Sequence, residues 1–396
     1  MRVAVLGAGI MGCTTSVFLA RKGAEVTLFE GTPKLMDGAS RWNEGKVHLG
    51  YLYAADPSLS TAARVLPGGL AFKALIEQLL EVPITAAVTQ EDDFYLLHPD
   101  SVVEADEMNL YFQRVSELVA QHHQNGDYLA PLGKPERLSR FHLDTIGSDR
   151  IQAGFRVPER SVRTAWIADR LVEAVNATSR VTALKDTRVQ RVDSVTDSWN
   201  GPWRIQTNQG TFASFDVVVN ALWGGRLEVD VASGLDPAPG WSHRFRLSLF
   251  LKTREKLSLP SVVLAAGPFG DVKNYDGHNF YASWYPVGLL AEGTSVRTPD
   301  IPPIPDPDAF SQAVAQGLSR WIPNTTELFR RAESAVLGGG WVFARGQGSL
   351  ADRQASLHLR DRFGVERRGT YFSVDSGKYS TAPWLGHSIA HEICCS

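Results

Sequence analysis

Little in this sequence speaks for covalent or metal scaffolding. Its three cysteines, Cys13, Cys394 and Cys395, are too few for a disulfide framework or a zinc ligand set, and that scarcity fits a reducing cytoplasm. Cys394 and Cys395 are neighbours in the C-terminal tail, where fraying is the ordinary state. An excess of one charge is also lacking. Forty Lys and Arg against 43 Asp and Glu leave a net charge of −3, which gives no electrostatic footprint for nucleic acid. No apolar run approaches the length of a membrane span, and no internal repeat is evident. The first apolar residues belong to a strand, so they are not expected to be a signal peptide. What remains is an ordinary globular composition: 396 residues, 43% hydrophobic and 21% charged, enough for large cores and two domains.

The opening, "MRVAVLGAGIMGCTTSVFLARKGAEVTLFEG", carries the strongest local signal. Arg2 to Leu6 is a short apolar strand, Gly7, Gly9 and Gly12 follow in G-x-G-x-x-G spacing, and Cys13 to Lys22 has helical periodicity up to Gly23. A second strand, Glu25 to Phe29, ends on Glu30, the offset at which an acidic side chain meets a ribose 2′-hydroxyl. Gly7 permits a backbone excursion, Gly9 lets the main chain approach a pyrophosphate, and Gly12 lets helix and strand pack closely. The free N–H groups and positive end of the helix dipole then face phosphate. A carboxylate at Glu30 disfavours the 2′-phosphate of NADP.

Beyond Glu30 the βαβ alternation of an NAD-dependent dehydrogenase does not continue. Gly31 to Leu52 is a loop rich in Gly, Ser, Asn and charge, and the stretch from Ala55 to Leu80 is mostly helical. Gln90 to His98 reads as a strand and Glu104 to His123 as a helix interrupted by a loop. An amphipathic helix from Thr164 to Asn176 is followed by strands with a hairpin, and "DVVVNA" (216–221) has the continuous apolar character of a buried parallel strand. Trp241 to Gly288 is strand-rich, with Tyr281, Ser283 and Tyr285 on one face of an alternating run. A proline loop, a helix from Ala309 to Trp321, and a strand, turn and final helix beginning near Thr381 or Pro383 complete the chain.

The N-terminal glycine motif with Glu30, the "SRWNEGKVHLGYLY" loop, the central "DVVVNALWG" and the C-terminal "SVDSGKYSTAP" occur in an order that resembles the FAD-dependent D-amino acid oxidase superfamily. That group contains glycine and sarcosine oxidases, glycerol-3-phosphate dehydrogenase and L-2-hydroxyglutarate dehydrogenase. The resemblance implies an α/β fold: a glutathione-reductase-like FAD-binding Rossmann domain from residues 1–85, 150–230 and 345–396, and a mostly antiparallel substrate domain from 86–149 and 231–344. It implies FAD, with Gly7, Gly9 and Gly12 at the pyrophosphate and Glu30 at the adenosine ribose; noncovalent binding is expected because that opening fits an adenosine diphosphate and no cysteine lies in a loop favoured for attachment. Ser40, Arg41, Asn43, Gly45 and Lys46 match the loop over the pyrophosphate and flavin edge. Val189 matches the backbone position at the adenine, and Asn220 and Ala221 end the strand that returns beside the cofactor. Gly377, Lys378, Tyr379, Ser380 and Thr381 match the turn facing the flavin pyrimidine ring.

The chain departs from that pattern in having only Gly377 in the C-terminal turn and Lys378 where relatives carry His and further glycines. A lysine there would stabilise the anionic reduced flavin; a solvated lysine is the alternative. His48, in "GKVHLGYLY", is open to three roles: orienting or deprotonating substrate, anchoring flavin covalently, or packing in the core. Tyr51 and Tyr53 alternate beyond it, as site lining or as core. Arg345 resembles the family's substrate-clamping arginine, without its usual proline, and suits a bidentate carboxylate contact; Arg353 and Arg360 are alternatives. Tyr281 and Tyr285 are expected as pocket walls.

The expected activity is two-electron oxidation of a C–H bond alpha to an amine in a small amino acid-like substrate, with a 2-hydroxy acid as the rival substrate. O₂ or another acceptor would reoxidise the flavin. An NAD-dependent β-hydroxyacid dehydrogenase and a flavin-binding protein without turnover are the rivals from other classes.

Overall fold

The apolar run Arg2–Leu6 becomes a central strand because four of its five side chains are buried and a parallel neighbour lies on either side: Val217–Asn220 on one, Glu25–Phe29 on the other. Continuous apolar runs suit strands covered on both faces. In this computed structural model, which describes residues 1–122, 128–196 and 198–395, the sheet extends outward through Val181–Leu184 at one edge. At the other it extends through Tyr371–Asp375 and then the antiparallel Gly364–Arg368. The helix Ile10–Arg21 is buried from Ile10 to Ala20, because the helices Thr164–Ala177 and Ala382–Cys395 both pack on it. A helix covered on most sides carries no polar face, and its Thr14 and Thr15 hydroxyls donate back to the carbonyls of Ile10 and Met11.

The second sheet has nine strands, antiparallel except where Val262–Ala265 runs parallel to Asp93–Leu97. Its spine is the pair Trp241–Thr253 and Ala332–Arg345, matched from Trp241 opposite Arg345 to Thr253 opposite Ala332. The second of these contains Gly338 to Gly340. A β-carbon on Gly338 would lie 2.4 Å from the Trp42 ring and one on Gly340 2.7 Å from Ala39, so the glycines let the loop over the first sheet lie directly on the second. This sheet excludes the all-helical second half of an NAD-dependent β-hydroxyacid dehydrogenase.

Several local expectations shift. Strand Ala153–Val157 pairs with Asp93–Leu97 in the second sheet, although its residues fall within the segment 150–230 assigned above to the cofactor domain. Ala105–His122 is one uninterrupted helix; His123 lies outside the described residues. Tyr285 leaves the strand Asn279–Trp284 and starts a single helical turn.

Candidate active site

A cavity of about 840 Å³ runs from the glycine turn at the end of Arg2–Leu6 to the strand Trp241–Thr253 of the second sheet, at the carboxyl ends of the parallel strands, where open α/β sheets place their ligands. Its volume lies in the upper part of the range for small-molecule sites. Gly7 turns the chain at φ +93, and a β-carbon on Gly12 would sit 1.8 Å from the Gly7 carbonyl oxygen. Helix and turn can approach this closely only without side chains there. Glu30 closes the turn: Oε2 accepts the Ala8 N–H at 2.9 Å, and Oε1 accepts the Thr32 N–H and hydroxyl, each at 2.9 Å. Ser40 Oγ accepts the Ile10 N–H at 2.9 Å, and Asn43 spans its loop by donating to Ala39 O and accepting from Gly45 N–H.

Gly7, Gly9, Glu30, Ser40, Asn43 and Ala221 line this end of the cavity. Gly12 lies behind the turn. Arg41 does not line the cavity, because its guanidinium is ion-paired with Asp169. Gly45 backs onto the Val162 carbonyl. Val189 packs into the core beside Phe29. Asn220 is spent on a buried network: its amide donates to Arg226 O, Asp230 and the Tyr371 hydroxyl. These four lie outside the cavity lining, each with its side chain or Cα position taken up by a nearer partner.

At the far end, Lys378 follows the positive-φ Gly377, its N–H donating to Thr381 Oγ1 at 3.2 Å, and its ammonium lies 5.3 Å from the Tyr53 ring centre. Burial and the neighbouring Arg360 pull the Lys378 pKa down to about 7, against Glu44. His48 is buried, its N–H on Ser380 Oγ at 3.4 Å, its Nδ1 without a partner, and its ring against Tyr53. Burial and the surrounding Lys378, Lys46, Lys273 and Arg360 hold its pKa well below that of an ordinary histidine. The Tyr53 hydroxyl is likewise buried without a partner. Tyr379 lines the cavity; Ser380 and Thr381 brace the turn beneath it. Tyr51 points away and bonds Ser116.

Lys46 reaches the cavity wall, but its ammonium is held by Asp93, which Lys273 also contacts at 2.7 Å. Burial opposes the Lys46 charge, yet Asp93 and Glu159 outweigh it and raise its pKa, whereas Lys273 is pulled by burial to about 8. Glu159 Oε1 accepts the N–H groups of Leu49 and Gly50 at 2.6 and 3.0 Å, fixing the segment that presents His48 and Tyr53.

Of the three arginines expected as candidates for a substrate clamp, Arg345, Arg353 and Arg360, only Arg360 lines the cavity. Arg345 lies outside the cavity lining, donating to Glu366 at 2.8 Å and to the Ala238 carbonyl. Arg353 pairs with Glu107. The guanidiniums that line the cavity are Arg244, Arg246 and Arg360. Arg244 Nη1 donates to the Tyr285 hydroxyl at 3.1 Å, and the Arg246 guanidinium lies 4.5 Å from the Tyr285 ring centre. Burial and Arg244 lower the Arg360 pKa to about 9. Tyr285 is a wall as expected, whereas Tyr281 is buried behind it on Ser248. Arg244 and Arg246 lie two apart on one strand, a spacing that puts both on one sheet face. That signal was present in the sequence, without anything to say which face met the cavity.

A parallel sheet with a glycine turn, an acidic strand end and a cavity reaching a second, antiparallel sheet defines a dinucleotide-dependent oxidoreductase. The chain belongs to the DAO family of FAD dependent oxidoreductases, whose model matches residues 2–346, and FAD is its cofactor. In fold it is similar to glycine oxidase from Geobacillus kaustophilus, with a TM-score of 0.69 and 16% identity over 98% of this chain and 94% of that one. Iminodiacetate oxidase from Chelativorans sp. BNC1 has a TM-score of 0.68 and 15% identity, covering 99% and 95%. L-alpha-glycerophosphate oxidase from Mycoplasma pneumoniae, with FAD bound, has 0.64 and 15%, covering 98% and 94%. The carboxylate strand end, the cradle closed to any β-carbon and the unpartnered His48 and Tyr53 atoms farther along the cavity are a donor set that suits FAD. Among the described residues, no helix is long and apolar enough to cross a membrane.

Proposed function

We propose that this protein oxidises the C–H bond alpha to an amine in a small amino acid-like acid. The observation that carries the proposal is the continuity of one cavity from the glycine turn to a cluster of Arg244, Arg246, Arg360 and Lys378 on its lining, the first buried and the other three half-buried. Gly7, Gly9 and the start of the first helix would face the pyrophosphate, and Glu30 the ribose. A carboxylate has about four acceptor sites and Glu30 uses three on Ala8 and Thr32, which leaves about one for a ribose hydroxyl. When bound, FAD would supply the two-electron chemistry, as the acceptor of hydride.

The chain's own residues orient and discharge the substrate. A guanidinium takes the substrate carboxylate in a bidentate contact, which fixes the alpha carbon relative to the cavity wall. The cationic surroundings disfavour a second positive charge beside them, so they shift the bound substrate ammonium toward the neutral amine from which hydride can leave. An alcohol must instead give up its far less acidic proton to a base; His48, held among four cations, is a weak one, so a hydroxy acid would depend on Lys378, whose pKa is about 7, whereas the neutral amine needs no base. This favours amine over hydroxy acid. The test is anaerobic mixing of the yellow holoprotein with panels of amino and 2-hydroxy acids: bleaching by an amino acid supports the proposal, and bleaching by hydroxy acids alone overturns it.

A further inference from the structure

Buried cations in this molecule generally sit on carboxylates: Lys46 and Lys273 on Asp93, Arg226 on Asp230. The three guanidiniums of the cavity, one buried and two half-buried, have no such partner among the described residues. Arg244 is 4% exposed, its Nη1 bonds only the Tyr285 hydroxyl, and its buried Nε has no partner. Arg246 donates to Ser283 Oγ at 3.2 Å, and its buried Nε is also unpartnered. The Arg360 side chain makes no hydrogen bond to any described residue; its backbone N–H donates to Thr61 Oγ1 at 2.9 Å. None of the three has a described carboxylate within ion-pair distance. Asp271, on the same lining, accepts from the Ser283 hydroxyl at 2.6 Å, and it and Glu44 act on Arg246 through space without a hydrogen bond to any guanidinium. Arg244, buried, and Arg246 and Arg360, half-buried, line one cavity, and charge held there without a counter-ion is costly unless a ligand anion supplies one.

One carboxylate occupies one guanidinium fork. Even with Lys378 set aside for the flavin edge, a second and a third fork remain. We infer that the substrate carries two acid groups, the second in addition to the carboxylate beside the reacting carbon, and that Arg244, Arg246 and Arg360 together recognise the pair. The second group is an anion with at least two oxygens, carboxylate or phosphonate. This inference rests on reading the cavity as the site of the oxidised substrate, but binding can be measured without any oxidation.

Unreactive acids test it. The holoprotein is titrated with acetate, malonate, succinate and phosphonoacetate at constant ionic strength, following the change in the flavin absorption spectrum. The expected result is a Kd for at least one diacid lower than that of acetate by about tenfold or more, a difference of about 1.4 kcal/mol. Which of the carboxylate or phosphonate arms gains most identifies the second group. Arg246→Gln and Arg360→Met should each remove most of that advantage while the flavin remains bound. Diacids that bind no better than acetate to the wild-type protein overturn the inference, whatever the variants do, and so does an advantage that both variants retain. Tight diacid binding combined with no flavin bleaching by any amino acid supports two-acid recognition and refutes amine oxidation instead.

Discussion

At the residue scale, the clearest division is between side chains whose partners are local and those whose partners arrive from elsewhere in the chain. Gly7, Gly12 and Glu30 were legible because turn, helix and strand end lie within 30 residues, and spacing alone fixes their relation. Arg360 was named only as an alternative and Arg244 not at all, because their convergence requires two segments 116 positions apart to meet across the cavity. Arg345 shows the converse: its motif looked right, yet Glu366, which sits opposite on the neighbouring segment, takes its fork. Glu30→Ala should weaken FAD by roughly 1.5 to 3 kcal/mol, the range for a hydrogen bond to a charged group, and the turn loses its Ala8 and Thr32 contacts as well. Fluorescence titration of apoprotein with FAD measures it. Lys378 gives a pH signature. Its pKa falls from an ordinary lysine value to about 7 in the folded protein, so the unfolded chain binds the extra proton between about pH 7 and 10 and stability rises with pH across that window. Apoprotein Lys378→Met should therefore have a higher Tm than wild type at pH 6, with the gain shrinking toward pH 10; a gain independent of pH would contradict the buried lysine.

At the scale of elements, the strand, turn and helix that open the chain act as one unit. Gly12→Ala would place a β-carbon 1.8 Å from the Gly7 carbonyl oxygen, so either the helix or the turn must move. The expected cost exceeds the roughly 1 to 3 kcal/mol of ordinary overpacking, and it should appear both as a lowered Tm and as loss of bound flavin after purification. Retention of full flavin content would mean the close approach is not needed. The opening strand, the buried strand ending at Asn220 and the helix from Thr164 were readable because their periodicity and apolar runs are strong. The long strand Ala332–Arg345 was not, because three consecutive glycines look like a loop. Only the packing of Ala39 and Trp42 against Gly338 and Gly340 explains them. Tyr285 was misread for a similar reason: alternation continues through Trp284, and proline at 286 starts a helical turn.

At the scale of the whole molecule, the cationic end of the cavity is built jointly, Arg244 and Arg246 from the second sheet and Arg360 and Lys378 from the segments flanking Gly364–Arg368 and Tyr371–Asp375 of the first. The order of motifs along the chain made this two-part organisation visible, whereas the side chains that meet between the parts depended on the register of Trp241–Thr253. A paired comparison tests the reassigned clamp. Arg345→Met removes an ion pair to the exposed Glu366 and should leave substrate saturation near wild type, as exposed pairs contribute little. Arg360→Met should cost about 2 to 5 kcal/mol in transition-state binding, by analogy with truncating one partner of a buried charge pair, read from the substrate dependence of flavin reduction. The central claim is that the joined cavity oxidises an amine carried by an acid, and its most direct measurement is the rate of flavin bleaching when holoprotein is mixed anaerobically with amino acids and with their 2-hydroxy counterparts. The account predicts saturable, monophasic bleaching by at least one amino acid and a slower rate with the hydroxy acid of the same skeleton; bleaching confined to the hydroxy acids would contradict it.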